Sequence, residues 1–299
     1  MSVFVQQNNV LLNFSGSNSW NILNPLELSI KSKMESIGVP SKDWNVHIFR
    51  GILTGFNEAF IISGKKKDDL IASDPKSADI IRPILRGKDI KRYKCNFADL
   101  WIIATFPSKK YNIDEYPAVK NYLLSFSMER LEQTGKKHLV NGIEIKSRKK
   151  TSNKWFETQD SISYWNDFSQ QKIVWGNLCL SAQFALADEN TYINAPSPMI
   201  VPGNKYILAI LNSKLGDWYI RQLGVTRNGG YFEYKPMFVE KLPIPQVNMD
   251  RQIEFINLVD KIIDYKKNKF DTLSLEEKIN CMVFELYGLN QDEIEYILK

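Results

Sequence analysis

Two arginine–glycine steps carry the most chemistry in this sequence. The first opens Arg50-Gly51-Ile52-Leu53-Thr54-Gly55-Phe56-Asn57, and the second opens Arg86-Gly87-Lys88-Asp89-Ile90-Lys91-Arg92. A glycine has no Cβ, so backbone there can come close to a bulky partner. An arginine beside it offers a planar donor fork that matches phosphate oxygens and the edge of guanine. The stretch Trp44 to Tyr93 that holds both steps is therefore expected to meet nucleic acid, and the remaining chain to position it.

Catalytic constellations are sparse. His47 and His138 are the only histidines, and neither has the clustered His, Cys or carboxylate neighbours of a zinc site. Nothing resembles a nucleophile elbow, a P-loop or a dinucleotide turn. Phe14-Ser15-Gly16-Ser17-Asn18 has one glycine and no helical pattern after it. One nuclease-like signal stands: Glu144-Ile145-Lys146, with Asp114 upstream, has acid-x-Lys spacing that could hold magnesium beside a lysine. Its plainer reading is a surface hairpin of mixed charge.

The charge balance fits the first reading only through clustering. Lys and Arg number 39 against 34 for Asp and Glu, a net charge of +5 that is mild for a dedicated nucleic-acid binder. The basic residues gather at Lys65–Lys67, Arg82–Lys94, Lys136–Lys154 and Lys266–Lys269. Any one cluster can also be a solvated face. Cys95, Cys179 and Cys281 are far apart and odd in number, which argues against a disulfide framework. With no apolar run long enough to span a bilayer and no signal-peptide pattern, a cytoplasmic protein is expected.

The elements that must position these groups follow from periodicity. Residues 1–25, with a short apolar run at Val10–Leu12, read as an irregular arm or one edge strand. A short helix is expected from Pro25 to Gly38, with strands at Val46–Ile48 and Phe60–Ile62 on either side of the glycine turn. Lys65–Asp69 reads as a charged loop, and Pro75 as the start of a helix through Leu85. Trp101–Phe106 reads as a central strand, Tyr116–Glu132 as a helix, and Lys136–Lys154 as an exposed loop or hairpin. Lys172–Gly176 is a strand; Phe184–Ala187 and Tyr192–Ile193 suggest a hairpin. Tyr206–Leu223 is expected as one helix, Phe238–Pro245 as extended, and Asp250–Lys269 as an amphipathic helix with Ile253, Ile256, Val259 and Ile263 on its stripe. Trp44, Trp101, Trp155, Trp175 and Trp218 sit beside apolar neighbours and read as core.

Taken in order, Arg50 to Phe60, Ile84 to Tyr93, Arg148-Lys149-Lys150-Thr151 with Trp155, Lys172-Ile173-Val174-Trp175, Leu211 to Leu215, Phe238 to Pro245 and Phe284 to Leu289 resemble the TaqI-like C-terminal specificity domain. That family is the target-recognition part of adenine-specific DNA methyltransferases and type IIG restriction-modification enzymes. The resemblance runs from about Pro25 to the C-terminus. It implies an α+β fold: a mixed-sheet, barrel-like recognition domain with peripheral helices over 26–245, and a C-terminal helical segment over 246–299 that docks a partner or closes the core. It implies binding of double-stranded DNA, with phosphates met by Lys88, Lys91, Arg92, Arg148, Lys149 and Lys150, and base edges met by Arg50, Thr54, Asn57, Arg86 and Arg227. Gly51, Gly55 and Gly87 would allow the approach. For Thr54 and Asn57 a capped turn between strands is an equal reading.

The family's methyltransferase domain carries a glycine-bearing S-adenosylmethionine loop and an Asn-Pro-Pro-Tyr type motif. Neither is in this sequence, whose Asn24-Pro25 is followed by Leu26. The cofactor, and the adenine methylation or cleavage, are thus expected on a partner methyltransferase domain or subunit. The chain itself is expected to be a specificity subunit without activity. Two alternatives stay open: the C-terminal piece of a fused methyltransferase, and the magnesium nuclease of Glu144 and Lys146.

Overall fold

The computed structural model describes residues 23–299, so residues 1–22 of the N-terminal arm, with the Phe14–Asn18 turn, lie outside the described residues. The chain divides into two compact units. One holds the described residues up to Asn45 together with Leu180–Ala182 and Ala209–Lys299; the other holds Val46–Cys179 and Gln183–Leu208. Residues 26–45 and 209–245 thus fall with the C-terminal helices, whereas a division at residue 245 was expected.

The second unit is built in layers around a mixed sheet. Its strands run in the order Tyr192–Ile193, Ile81–Leu85, Leu100–Ile103, Ile61–Ser63, with the first pair parallel and the others antiparallel. Successive side chains of a strand leave on opposite faces. Ile102 and its neighbour Ile103 accordingly enter two different apolar clusters, both fully buried. Burying a side chain of that size is worth roughly 1.5–3 kcal/mol, so losing either cluster would exceed the margin of a typical domain.

On one face, Ile81 and Ile103 pack with Leu70, Val119 and Leu123, which come from the helices Gly64–Ser73 and Pro117–Leu124. On the other, Ile84, Leu85 and Ile102 pack with Val174, Ala185, Met199 and Val201. These belong to an antiparallel sheet ordered Phe184–Ala187, Lys172–Trp175, Pro198–Val201, His47–Arg50. The α+β class stands, and no closed barrel is formed among the described residues.

Several elements differ from their expected form. The expected loop Lys65–Asp69 lies in a helix, because Ser63 accepts from the Lys66 amide and caps it. Pro75 starts only a 3-10 turn, and Ile81–Leu85 continues as a strand. The strands flanking the glycine turn join different sheets, and Tyr192–Ile193 pairs with Ile81–Leu85, not with Phe184–Ala187. The helix expected over 116–132 stops at Leu124 and restarts at Met128, after Ser127 takes φ 70°. The Lys137–Val140 and Ile143–Lys146 hairpin has the expected form.

The first unit is mainly helical. Its helices include Pro25–Ile37, Lys214–Leu223, Met249–Lys267, Leu273–Leu286 and Gln291–Leu298, with a ribbon pairing Gly38–Pro40 to Pro243–Pro245; the short helix Pro236–Val239 takes the start of the segment expected to be extended. The stretch 206–223 is two helices, since Ser213 leaves the helical region and caps the second by accepting from Gly216. Asn248, not Asp250, caps the long helix. Its buried stripe is Phe255, Leu258, Val259 and Ile262, so Ile253 faces outward and the helix closes this unit's core. No described helix is long and apolar enough to cross a membrane.

Candidate nucleic-acid interface

The glycines admit the chain's own backbone. The Gly51 amide donates to Ser197 O (2.7 Å) and the Ile52 amide to Ile193 O (2.7 Å), while Ala195 donates back to Ile52 O and Asn194 to Leu85 O (both 2.9 Å). A Cβ on Gly51 would lie 2.6 Å from both the Ile193 and Ser197 carbonyl oxygens, and one on Gly87 would lie 2.8 Å from the Ser197 hydroxyl. Both arginine–glycine steps therefore converge on residues 193–197. The close approach expected for a ligand is taken by a crossing segment of the same fold.

Several expected DNA contacts are likewise committed inside. Thr54 is fully buried; its hydroxyl donates to Asn57 Oδ1 (2.7 Å) and accepts from the Phe56 amide (3.1 Å), which is the capped turn. Asn57 itself is exposed. The Arg86 fork closes on Asp89, with Nε and Nη2 each 2.9 Å from a carboxylate oxygen. Burial works against the charge on Asp89, but the Arg86 side chain and amide outweigh it and hold the carboxyl below its ordinary range. Lys88 and Lys91 are exposed, and the half-buried Arg92 lies 5.4 Å from the Tyr93 ring.

Arg148 is the clearest correction. Expected at a phosphate, it is 2% exposed. Its guanidinium donates to Leu131 O (2.8 Å), Thr54 O (3.0 Å), Glu157 O (2.7 Å) and Trp155 O, beneath the Phe60 ring. Burial, and then repulsion from Arg130, bring its pKa down to about 10 against the pull of Glu157. Five donors in a rigid fork suit this task, since one side chain can then satisfy carbonyls that arrive from separate segments. Lys149 and Lys150, next in sequence, are both exposed.

Beside this anchor lies a cleft of about 280 Å³, formed by Arg50 and the segment 151–164. Its floor is fixed. Asn153 donates to Thr158 O and Gln159 O, and Thr151 donates to Gln133 Oε1. The Tyr164 hydroxyl donates to Arg50 O (2.9 Å), and its ring stacks on Phe49 at 4.4 Å. Burial, then Asp160, push that hydroxyl up to about 12, so it stays a donor at neutral pH.

The rim is open. The Arg50 side chain is 65% exposed and reaches Asp160 Oδ1 with one nitrogen at 3.1 Å. Among the described residues, the Gln159 side-chain amide and the Ser161 and Ser163 hydroxyls meet no hydrogen-bond partner, and Asp160 Oδ2 is buried without one. Gln159, Asp160, Ser161 and Ser163 were not singled out from sequence. Their signal was a run of polar residues between the aromatic pairs Trp155-Phe156 and Tyr164-Trp165.

The remaining candidates sit elsewhere. Arg227 lies in the helical unit, where its Nε donates to the buried Glu233 (2.6 Å), an acid also paired with Lys235. Glu144 pairs with Lys137 across the hairpin at 2.9 Å, and Asp114 pairs with Lys120 at 2.6 Å, so each acid of the nuclease reading is held by a nearby lysine. No group of three or more metal-ligating side chains occurs among the described residues. Of the five tryptophans read as core, Trp175 is fully buried and the other four are half-buried.

Comparison with known proteins gives a consistent picture. The family model described as the TaqI-like C-terminal specificity domain matches residues 82–244, more than half of the chain. Among solved structures, the type IIL restriction-modification enzyme MmeI in complex with DNA matches at 15% identity with a TM-score of 0.61, over 87% of this chain and 34% of that one. The type IIG restriction endonuclease BpuSI matches at 13% identity with a TM-score of 0.49, over 88% and 33%. The chain thus spans about a third of the length of either enzyme. The MmeI match shows a shared fold.

Proposed function

The chain belongs to the TaqI-like C-terminal specificity domain family, and from that premise we propose that it recognises a duplex DNA sequence for a restriction-modification system. Adenine methylation or cleavage is then carried out by a catalytic domain elsewhere. The observation that carries the reading is the cleft of Arg50 and residues 151–164, whose rim groups have no partner among the described residues beyond the single Arg50–Asp160 pair. Polar groups left open on a fixed floor are suited to the donors and acceptors of base edges in the major groove. The exposed Lys149 and Lys150 adjoin this segment and would neutralise phosphates, fixing register without reading sequence. Lys88, Lys91 and Asn57 are further exposed contacts in this scheme, whereas Arg86, Arg148 and Thr54 support them from inside.

S-adenosylmethionine would be held by the methyltransferase partner. The sequence carries neither the family's glycine-bearing loop nor its Asn-Pro-Pro-Tyr run, and Asn24 and Pro25 serve as the cap and first residue of the helix Pro25–Ile37. No methyl-transfer step is therefore assigned to this chain. A second reading, the recognition part of a longer fused enzyme, is favoured by the share of MmeI that the chain covers.

The test is selection from random duplexes at two salt concentrations, with and without a methyltransferase domain. The reading predicts one motif that survives the higher salt. Retention that is motif-free and abolished by salt would reduce the protein to general DNA affinity and contradict it.

A further inference from the structure

The cleft contains groups of complementary recognition chemistry. Gln159 carries a donor and an acceptor side by side, the pattern that matches adenine N6 and N7; an arginine fork matches guanine O6 and N7. Gln159 is half-buried on the loop whose backbone Asn153 fixes, and its side-chain amide lies over Gly55 without a hydrogen-bond partner. It also has reserved space. Gly55 takes φ 76°, and a Cβ there would come within 2.7 Å of Gln159 Oε1. The glycine thus serves the amide as well as the turn.

Arg50 is held at two points. Tyr164 donates to its carbonyl oxygen, and Asp160 Oδ1 lies 3.1 Å from one guanidinium nitrogen. The Asp160 side chain is 14% exposed, against 65% for Arg50, so the carboxylate is a recessed brace and the fork is the presented part. A braced fork loses less rotamer freedom on docking, which raises the affinity gained wherever the fork meets its matching base.

We propose that Gln159 reads an adenine, that Arg50 reads a guanine close to it in the same recognition site, and that Asp160 is a positioning residue that aims the Arg50 fork. This rests on the DNA-recognition function above and names its specificity determinants.

The test repeats the duplex selection with the full chain and with Gln159→Ala, Arg50→Lys and Asp160→Asn, each checked for a wild-type thermal transition. Gln159→Ala should lose preference at one adenine position by roughly tenfold, the scale of one bidentate contact. Arg50→Lys keeps the charge and should lose guanine preference at a different position. Asp160→Asn should weaken that same guanine preference, leaving binding to duplexes without the guanine unchanged; a merely structural role would weaken all duplexes alike. If Gln159→Ala does not fold, Gln159→Met, which keeps the volume and removes both the donor and the acceptor, takes its place and should lose the same adenine preference. A wild-type motif that all folded variants retain in full overturns the inference while leaving the recognition function standing. A wild type with no motif removes both.

Discussion

Two neighbouring regions of the layered unit use similar residues in opposite ways. Around Arg148 and residues 193–197, most donors and acceptors are consumed inside the fold: a guanidinium on four carbonyls, and the Gly51 and Ile52 amides on a crossing segment, with the Ser197 hydroxyl buried and unpaired. Along the rim formed by Arg50, Gln159, Ser161 and Ser163, an arginine, an amide and two hydroxyls are left largely open. Residue type does not separate the framework from the candidate interface here. Whether the polar groups stand unpaired at the surface does.

The largest test of this contrast sets Arg148 against its neighbours. Arg148→Ala strands buried carbonyls, each worth about 1–3 kcal/mol, and should lower the unfolding free energy by about 3 kcal/mol or more. Lys149→Ala or Lys150→Ala should change it by less than about 0.5 kcal/mol, as exposed substitutions do. Urea melts of the three variants measure this; equal losses would erase the distinction.

The same lysines should behave oppositely in binding. The Lys149→Ala, Lys150→Ala double variant should bind every duplex more weakly. It should also reduce the slope of log affinity against log salt by about 1.8, at about 0.9 for each phosphate no longer neutralised. The enriched motif should be unchanged. A slope equal to wild type would take these lysines off the phosphates.

A smaller effect should appear with pH. Burial lowers the Lys172 ammonium to about 8, against the raising pull of Asp188, although its Nζ donates to Asp188 O at 2.9 Å. The unfolded lysine titrates near its ordinary value of 10.5, so between about 8 and 10.5 the unfolded chain binds more protons. The Lys172 contribution to stability should therefore rise with pH across that window. Lys172→Met should flatten the rise, as measured by urea melts at pH 8 and pH 10.

Much of the fold was legible because strand and helix periods are local. Lys172–Trp175 was visible as a strand, and the 137–146 hairpin lies within the stretch Lys136–Lys154 read as an exposed loop or hairpin. The helix Gly64–Ser73 was hidden by its lysines and aspartates, which obscure an apolar face of little more than Leu70 and Ile71. Ile80, Ile81, Ile84 and Leu85 fit a helical stripe as well as a strand, and only pairing with Leu100–Ile103 decides between them.

The site was less legible for a physical reason. The carbonyls that bury Arg148 include those of Leu131 and Thr54, 17 and 94 positions away, and no local pattern reports them. Gly51 needs its missing Cβ because of Ile193 and Ser197, equally remote in sequence. Arg50 is a candidate already in the sequence; the Asp160 brace and the unpaired Gln159 amide emerge only once the loop is folded.

The most direct measurement is lysine-reactivity footprinting by mass spectrometry, with and without a duplex carrying the selected motif. Lys149 and Lys150 should lose reactivity on the duplex, while the exposed Lys65 and Lys66 on the helix Gly64–Ser73 should keep theirs. Protection of Lys65 and Lys66 with Lys149 and Lys150 still reactive would place DNA on another face and contradict the account.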